Sequence, residues 1–376
     1  MEAAVQSTDQ LPSVERYERH LKETTAWLLR TVASGHQGSS AYYLPVRGFS
    51  NPYPETTGYL IPTLLTLAPR YPEMKLEEVA VGLGRWLLSI QHEDGYWFGG
   101  THPPKSGTKG SVFNTGQILI GMAALARHSG DSEWLDSGRR GAEWLVNGLD
   151  DSGLWPETDY RSAATPSYYS RVAWPILEMA DVAQSESLRD GGAAVLNALL
   201  KRLDPETGRF SGWSFEPERP AFTHTIAYTI RGFLEGARFL DWDVYGKPIG
   251  ASIDWLTRRA ELSHGRLPGS FDENGKAAGD FVCLTGNAQS ALCLLFWEAR
   301  HPDLRLVSAS AKLIDFVCSV QNRQRFWPGA RGAVAGSTPL WGPYMRFRYP
   351  NWSAKFHCDA LVQLIARLEA ENEAEA

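Results

Sequence analysis

The chain has 376 residues, of which 43% are hydrophobic and 21% charged, a composition typical of a folded protein with a large core and not of a disordered one. The net charge of −6 argues against a nucleic-acid-binding protein, and no apolar run reaches the roughly 18 residues that cross a bilayer. Residues 1–12 are polar and lack the apolar core of a secretion signal, so we expect a cytoplasmic protein.

In chain order, an amphipathic helix is predicted first, over 14–32. Six further segments each start with a polar or aromatic cluster and run into a long apolar helix. They cover 54–68, 113–126, 169–180, 224–237, 284–299 and 351–366. A small residue precedes a large one near the start of each segment, and those small residues are 58, 57, 54, 61 and 66 positions apart. This regularity indicates a repeated helical hairpin.

Other helices are predicted between these segments, including 76–91, 134–149 and 308–321, and their charges fall on one face. Turns that combine glycine with an aromatic residue, such as EDGYWFGG and DSGLWPE, punctuate the pattern. The alternation predicts an all-α fold, an (α/α)6 toroid in which six helical hairpins close into a ring. We expect one domain over 1–376, with helix 14–32 closing the ring against 351–369. An open superhelix is the alternative, and it would require polar capping faces at both ends.

The four cysteines, Cys283, Cys293, Cys318 and Cys358, lie in apolar helical stretches without CxxC spacing. We expect reduced core residues and predict neither a metal site nor a cofactor.

Polar and aromatic side chains recur at the starts of the six apolar helices, where buried positions are expected. The candidate substrate-binding residues among them are Glu55, Tyr59, Gln117, Arg171, Asn287, Gln289, Tyr349, Asn351, Trp352 and Lys355. Burying such groups is costly unless they find partners. Helix N-termini also favour anionic groups. The ring is therefore expected to carry a polar funnel at one end, whereas Thr57, Thr115 and Thr285 are expected to cap helices and link neighbouring hairpins.

One helix carries the densest cluster. His224, Tyr228 and Arg231 lie at i, i+4 and i+7, which places them on one helical face. Together with Asn114, these three are the candidate catalytic residues.

The segments PYPETTGYLIPTLL, FNTGQ, THTIAYTIRG, LTGNAQ and YPNWSAKF resemble a group of bacterial toroid proteins associated with polysaccharide synthesis. The whole chain also resembles toroids of the terpenoid-cyclase and prenyltransferase type, and the helical domains of glucuronyl C5-epimerases and polysaccharide lyases. The Asp-rich DxDD run of class II cyclases is missing, and no Cys/His/Asp zinc set of the prenyltransferase kind is evident.

The resemblance implies an enzyme acting on an acidic oligosaccharide or polysaccharide. Removing the C5 proton of a uronate requires a base, a group that neutralises the carboxylate, and an acid. By residue type, His224 or Tyr228 would be the base and Tyr228 the acid, with Asn114 and Arg231 on the carboxylate. The lack of a secretion signal favours an epimerase, or another step of glycan assembly, over a degradative lyase.

Two alternatives stay open. A glycoside hydrolase needs two carboxylates roughly 5–9 Å apart. The candidates are Glu55, Glu157, Asp159, Asp280 and Asp359. A toroid that binds glycans without catalysis is the other alternative, since tryptophan and amide side chains bind sugars without chemistry.

Overall fold

The computed structural model describes residues 14–35, 37–156, 165–324 and 328–375. These residues form thirteen α-helices, nine very short strands and four 3-10 turns. The helices are α1 (Val14–Ala33), α2 (Pro54–Leu67), α3 (Leu76–Ser89), α4 (Val112–Ser129), α5 (Ser132–Asn147), α6 (Ser170–Ala183), α7 (Glu186–Leu200), α8 (Thr223–Gly236), α9 (Trp242–Tyr245), α10 (Gly250–Leu262), α11 (Leu284–Glu298), α12 (Leu304–Val320) and α13 (Asn351–Glu375). The strands are β1 (Tyr42–Leu44), β2 (Gly48–Phe49), β3 (Leu203–Asp204), β4 (Arg209–Phe210), β5 (Ala221–Phe222), β6 (Ser270–Phe271), β7 (Val282–Cys283), β8 (Ser337–Thr338) and β9 (Tyr349–Pro350).

Two kinds of helix alternate along the chain. α4 is buried at nearly every position from Val112 to Ala126, whereas α5 buries one face and exposes the other. A helix that is apolar all round lies inside, and a helix with one apolar face lies at the surface. On this criterion the inner helices are α2, α4, α6, α8, α11 and α13, and the outer helices are α1, α3, α5, α7, α10 and α12.

The inner helices form a closed ring. Each contacts the next along the chain, and the last, α13, also contacts the first, α2. The N-terminal helix α1 packs along α13, where Thr25 Oγ1 lies 3.8 Å from Cys358 Sγ. This architecture confirms the predicted all-α (α/α)6 toroid.

The two glycines of the sequence repeat, Gly58 and Gly116, lie where neighbouring inner helices approach closely. A Cβ atom added to Gly58 in α2 would stand 2.5 Å from Ile118 Cα in α4. Real side chains do not reach such a distance from backbone, so only glycine permits this packing. Close packing between neighbouring inner helices therefore accounts for glycine at these two positions of the repeat.

Glycine turns tie each hairpin to the following outer helix. In the last of these turns, Gly332 has φ +86°, and an added Cβ would lie 2.2 Å from Glu23 O in α1. The corresponding glycines of the preceding turns, each with positive φ and each against the backbone of the next outer helix, are Gly95, Gly153, Gly208 and Gly265. Because its neighbour is α1, Gly332 is the turn that closes the ring.

We expect Gly332→Ala to lower the free energy of unfolding by about 2–5 kcal/mol, combining the cost of a left-handed alanine with that of overpacking. Gly130→Ala is the matched control, because Gly130 also has positive φ (+70°) but nothing lies within 4 Å of an added Cβ. Urea unfolding of both variants separates the two costs. Equal losses would show that the contact with α1 contributes nothing.

Strand pairs gather the starts of the inner helices at one end of the ring. β5 and β7 immediately precede α8 and α11, and they pair with β6 and β8 from the following loops. β9, which precedes α13, pairs with β1 from the loop before α2. The predicted threonines do not cap their helices, whose N-caps are Tyr53, Ser111 and Cys283, but they do link segments. Thr57 Oγ1 accepts from Ser39 N and Thr115 Oγ1 from Trp97 N, each at 3.0 Å, and Thr285 Oγ1 pairs with Ser353 Oγ. The loops are thereby fixed to the helix starts.

All four cysteines are buried, and none forms a disulfide, as expected for core residues. Among the described residues no helix has the length and apolar character needed to cross a membrane.

Candidate active site

A cavity of about 420 Å³ opens at the end of the ring where the inner helices begin; we call it the mouth cavity. Aromatic side chains form much of its wall: Tyr53, Phe113, Phe215, Phe222, Tyr344 and Trp352. The polar and charged side chains that line it are Glu55, Tyr59, His224, Tyr228, Arg346 and Arg348. The predicted polar funnel is therefore a largely aromatic cavity with a few polar groups.

Helix α8 presents His224 and Tyr228 side by side, with ring centroids 4.2 Å apart. Gln289 Nε2, from α11, lies 3.1 Å from His224 Nδ1. An amide nitrogen can only donate, so Nδ1 accepts and the imidazole proton is assigned to Nε2. Burial, reinforced by the positive charge of Arg171, lowers the pKa of His224 from 6.5 to about 3. His224 is therefore a neutral hydrogen-bond donor on the cavity wall.

A second buried histidine, His357 of α13, has its pKa lowered to about 3 by burial and by nearby His20. Below pH 6.5 the two imidazoles become protonated in the unfolded chain but stay neutral in the folded chain. The free energy of unfolding therefore falls as the pH falls from about 6.5 toward 3. We expect unfolding between about pH 7.5 and pH 5 to become easier by roughly 2 kcal/mol for each of His224 and His357. Urea unfolding at the two pH values measures the loss, and His357→Gln should remove about half of it. A pH-independent free energy would contradict the expectation.

Glu55 lies in the first turn of α2 and is 6% exposed. The amide of Asn114 in α4 satisfies both of its polar atoms when its nitrogen donates to Glu55 Oε2 at 3.0 Å and its oxygen accepts from Gly100 N at 3.3 Å. Asn114 itself is fixed because Ser111 caps α4 by accepting from its backbone N–H. Asn114 thus holds the Glu55 carboxylate in place.

The floor of the mouth cavity is a layer of aromatic rings packed in tilted and edge-to-face arrangements. Tyr59 and Tyr228 pack against Phe356, with ring centroids 5.5 and 5.9 Å away. The guanidinium carbon of Arg171 lies 4.5 Å from the centre of the Tyr228 ring. Burial raises the pKa of both tyrosine hydroxyls well above their ordinary value. Both are therefore hydroxyl donors at neutral pH.

Beyond this floor, toward the C-terminal ends of the inner helices, is a second cavity of about 300 Å³, which we call the lower cavity. It is lined by Arg171, Arg231 and Lys355. Arg231 Nε donates to Glu235 Oε1 at 2.8 Å, and Lys355 Nζ lies 2.5 Å from Asp359 Oδ2. The structure therefore separates Arg231 from His224 and Tyr228, although all three lie on the same helix.

The remaining predicted residues make contacts within the protein. Gln117 is fully buried, and its Oε1 accepts from Arg171 Nη2 at 2.9 Å. Asn287 Nδ2 donates to Gly265 O at 2.6 Å. Asn351 Nδ2 donates to Ser39 Oγ and Thr56 Oγ1, both at 2.8 Å. Tyr349 Oη accepts from Asn322 Nδ2 at 3.2 Å. These contacts join neighbouring hairpins, and none of these four residues lines the mouth cavity.

Of the carboxylates considered for a hydrolase, only Glu55 lines the mouth cavity in the part of the chain that the structure describes. Asp359 lines the lower cavity, and Asp280 is exposed in the loop before β7. Glu157 and Asp159 lie outside the described residues. Within the described ranges, no group of three or more His, Cys, Asp and Glu side chains could hold a metal ion.

Sequence reasoning missed the loop before α13. Tyr344, Arg346 and Arg348 from this loop line the mouth cavity, and Tyr344 Oη accepts from Trp352 Nε1 at 2.9 Å. The sequence did contain a pattern that could have indicated this loop, because aromatic and basic residues alternate directly before the YPNW segment. The missed wall residues Tyr53, Phe215 and Phe222 carry no comparable sequence signal.

No protein-family model matches this chain, and no curated protein sequence matches it. Solved structures match over nearly the full length. An unsaturated glucuronyl hydrolase specific for heparin superposes with a TM-score of 0.71 at 13% identity, covering 95% of this chain and 99% of that chain. A cellobiose 2-epimerase from Bacillus thermoamylovorans gives a TM-score of 0.74 at 11% identity, covering 94% and 99%. The cellobiose 2-epimerase from Spirochaeta thermophila gives 0.74 at 14% identity, covering 96% and 99%.

The fold is shared. Structural superposition at such low sequence identity establishes the (α/α)6 architecture of the chain. The reaction has to be argued from the chain's own residues.

Proposed function

We propose that this chain is a carbohydrate-active enzyme that removes the C5 proton of a uronic acid residue held in the mouth cavity. The observation that carries the proposal is that Glu55, His224 and Tyr228 line one aromatic-walled cavity together with Arg346 and Arg348. Its volume of about 420 Å³ lies in the range of small-molecule sites. Aromatic faces suit the apolar faces of a pyranose ring.

The protonation states favour Glu55 as the base. His224 already uses Nδ1 to accept from Gln289 and carries its proton on Nε2, so it has no free lone pair for a proton from carbon, and the raised pKa of Tyr228 keeps its hydroxyl protonated. This revises the expectation that His224 or Tyr228 is the base. In the proposed step the Glu55 carboxylate takes the C5 proton, and the electron pair moves onto the uronate carboxylate.

Cations and donors stabilise the charge that develops. The guanidinium groups of Arg346 and Arg348 at the cavity wall pair with the substrate carboxylate. His224 Nε2–H donates to the enolate oxygen, as a neutral imidazole can. In an elimination the C4–O bond then breaks and Tyr228 protonates the leaving oxygen. In an epimerisation Tyr228 instead gives its proton to C5 from the face opposite Glu55.

The structural neighbours support this class of chemistry. One acts on unsaturated glucuronyl groups and the others invert C2 of cellobiose, according to their names. Inversion beside a sugar carbonyl also requires a proton to leave a carbon next to a carbonyl. The same toroid therefore carries sugar chemistry related to the step proposed for this chain.

The test is incubation of the full chain with a panel of uronate polymers in deuterated water. An epimerase should place deuterium at C5, detected by NMR, and a lyase should produce the ultraviolet absorbance of a C4–C5 double bond. Glu55→Gln protein is the matched blank. Absence of both signals across the panel would contradict the proposal, and binding without turnover would support a glycan-binding toroid instead.

Glycoside hydrolysis is the second candidate, favoured by a carboxylate in a sugar-sized cavity and by the glucuronyl hydrolase neighbours. It would show as release of reducing ends from neutral or unsaturated oligosaccharides without deuterium at C5. Asp280 and Asp359 should not contribute, because neither lines the mouth cavity.

A further inference from the structure

The lower cavity carries charged groups that the proposed reaction does not use. It lies on the far side of the ring floor from the mouth cavity and is lined mainly by the inner helices α2, α4, α6, α8 and α13. Four cationic and three carboxylate side chains line it: Arg171, Arg231, Arg238, Lys355, Glu178, Glu235 and Asp359. These lining groups carry one positive charge in excess, and Arg127, which pairs with Glu178 from outside the cavity, adds a second.

The three carboxylates are already paired. Glu235 accepts from Arg231 and Arg238, and Asp359 accepts from Lys355 and, at 2.7 Å, from Thr63 Oγ1. The third carboxylate also has a cation of its own: Glu178 pairs with Arg127, which does not line the cavity, and burial raises the pKa of this carboxyl.

Arg171 holds the uncompensated charge. It is 3% exposed, and among the described residues its guanidinium hydrogen-bonds only the neutral Gln117 and forms no salt bridge, with Glu235 acting on it only at longer range. Aromatic rings occupy its other sides, with Trp174 at 4.9 Å and Phe356 at 5.6 Å. A buried charge without a counter-ion is costly, so this site favours an incoming anion.

Two further donors line the same cavity without a partner in the described residues. Trp174, which is 8% exposed, has no acceptor for its Nε1–H, and Arg231 Nη1 has none either. Buried donors normally find acceptors, and these two lie in the cavity that also holds Arg171. The cavity volume of about 300 Å³ is at the lower end of small-molecule sites.

We propose that the lower cavity is an anion site that binds a phosphate group, with Arg171, Arg231 Nη1 and Trp174 Nε1 as its donors. Guanidinium groups present several N–H donors to oxyanions, and the indole N–H adds a directed one. The group is either free inorganic phosphate or the phosphate of a small sugar ester. This inference does not depend on the reaction at the mouth cavity.

The test is calorimetric titration of the full chain with inorganic phosphate at constant ionic strength, with chloride as the background anion. We expect saturable binding to one site. Trp174→Phe keeps the ring over Arg171 but removes one donor to an anion, so it should weaken binding about 10-fold. Trp255→Phe is the matched control, because Trp255 Nε1 is also buried without a partner but lies on outer helix α10, outside the cavity. Its affinity should equal that of the original chain.

A second pair of variants locates the site. Arg171→Gln should weaken phosphate binding by about 100-fold, whereas Arg348→Gln at the mouth cavity should leave it unchanged. Loss of binding in Arg348→Gln, or equal affinities for Trp174→Phe and Trp255→Phe, would overturn the proposal, as would absence of saturable heat. If Arg171→Gln fails to fold, the tryptophan pair decides. Tighter binding of glucose 1-phosphate than of inorganic phosphate would identify a sugar ester as the ligand, and equal or weaker binding would identify the free ion.

Discussion

Glu55→Gln should lower kcat by about 10²–10⁴-fold on whichever uronate substrate proves active, the usual contribution of a general base. The glutamine amide has the shape of the carboxylate, and its oxygen can still accept from Asn114 Nδ2, which lies 3.0 Å from Glu55 Oε2. The fold of α2 and the cavity wall should therefore stay intact. Only the capacity to take a proton is lost, so kcat should fall far more than KM rises.

Asp280→Asn is the control for this change. It removes one carboxylate from an exposed position in the loop before α11, outside the mouth cavity, and should leave kcat within about twofold. Deuterium incorporation at C5 under saturating substrate measures both variants. A Glu55→Gln enzyme with unchanged kcat would remove Glu55 from the mechanism and return the role of base to another group.

The sequence period predicted which helical faces point into the ring but not how deep each residue lies. His224, Tyr228 and Arg231 share one face of α8, as the i, i+4 and i+7 spacing required. Seven residues of helix, however, rise by roughly 10 Å, so the first and last cannot meet the same small ligand easily. Arg231 consequently lies in the lower cavity with Glu235, whose spacing of i, i+4 from Arg231 offered a readable pairing signal.

Loop residues were beyond the reach of periodicity. Met345 and Phe347 adopt left-handed backbone conformations, with φ of 51° and 58°, which no regular pattern encodes. These conformations belong to the loop that places Arg346 and Arg348 at the cavity wall. The sequence interpretation placed the cation for a uronate carboxylate on helix α8, whereas the guanidinium groups at the wall of the mouth cavity come from the loop before α13.

Buried amides were read as substrate-binding groups because a polar residue at an apolar position needs a partner. For Gln289 the partner is His224, whose ring it orients. For Asn287 the partner is the carbonyl of Gly265 in a turn. Sequence alone does not distinguish these outcomes, because the partner comes from a segment more than 20 residues away whose path depends on the closed ring.

Tyr228→Phe should lower kcat and kcat/KM together by about 100-fold, because the hydroxyl is proposed to act as an acid in the transition state. The ring contacts do not depend on that hydroxyl. Phe113 and Phe356 lie 5.8 and 5.9 Å from the Tyr228 ring centroid, and Arg171 lies beneath the ring face at 4.5 Å. Phenylalanine preserves all three contacts, so substrate binding should change little, whereas loss of the hydroxyl's hydrogen bonds with Tyr59 and Gln289 should lower the free energy of unfolding by about 1–2 kcal/mol.

The matched control is Tyr245→Phe, which removes a hydroxyl that donates to Asn197 Oδ1 at 2.9 Å, between outer elements far from the mouth cavity. Its kcat should equal that of the original chain. A lyase reaction separates the roles further, because only elimination needs an acid for the leaving oxygen. Tyr228→Phe should then lose formation of the C4–C5 double bond while exchange of the C5 proton with deuterated water continues, since Glu55 still removes it. Equal loss of exchange and elimination would show that Tyr228 acts on the proton at carbon and not on the leaving group.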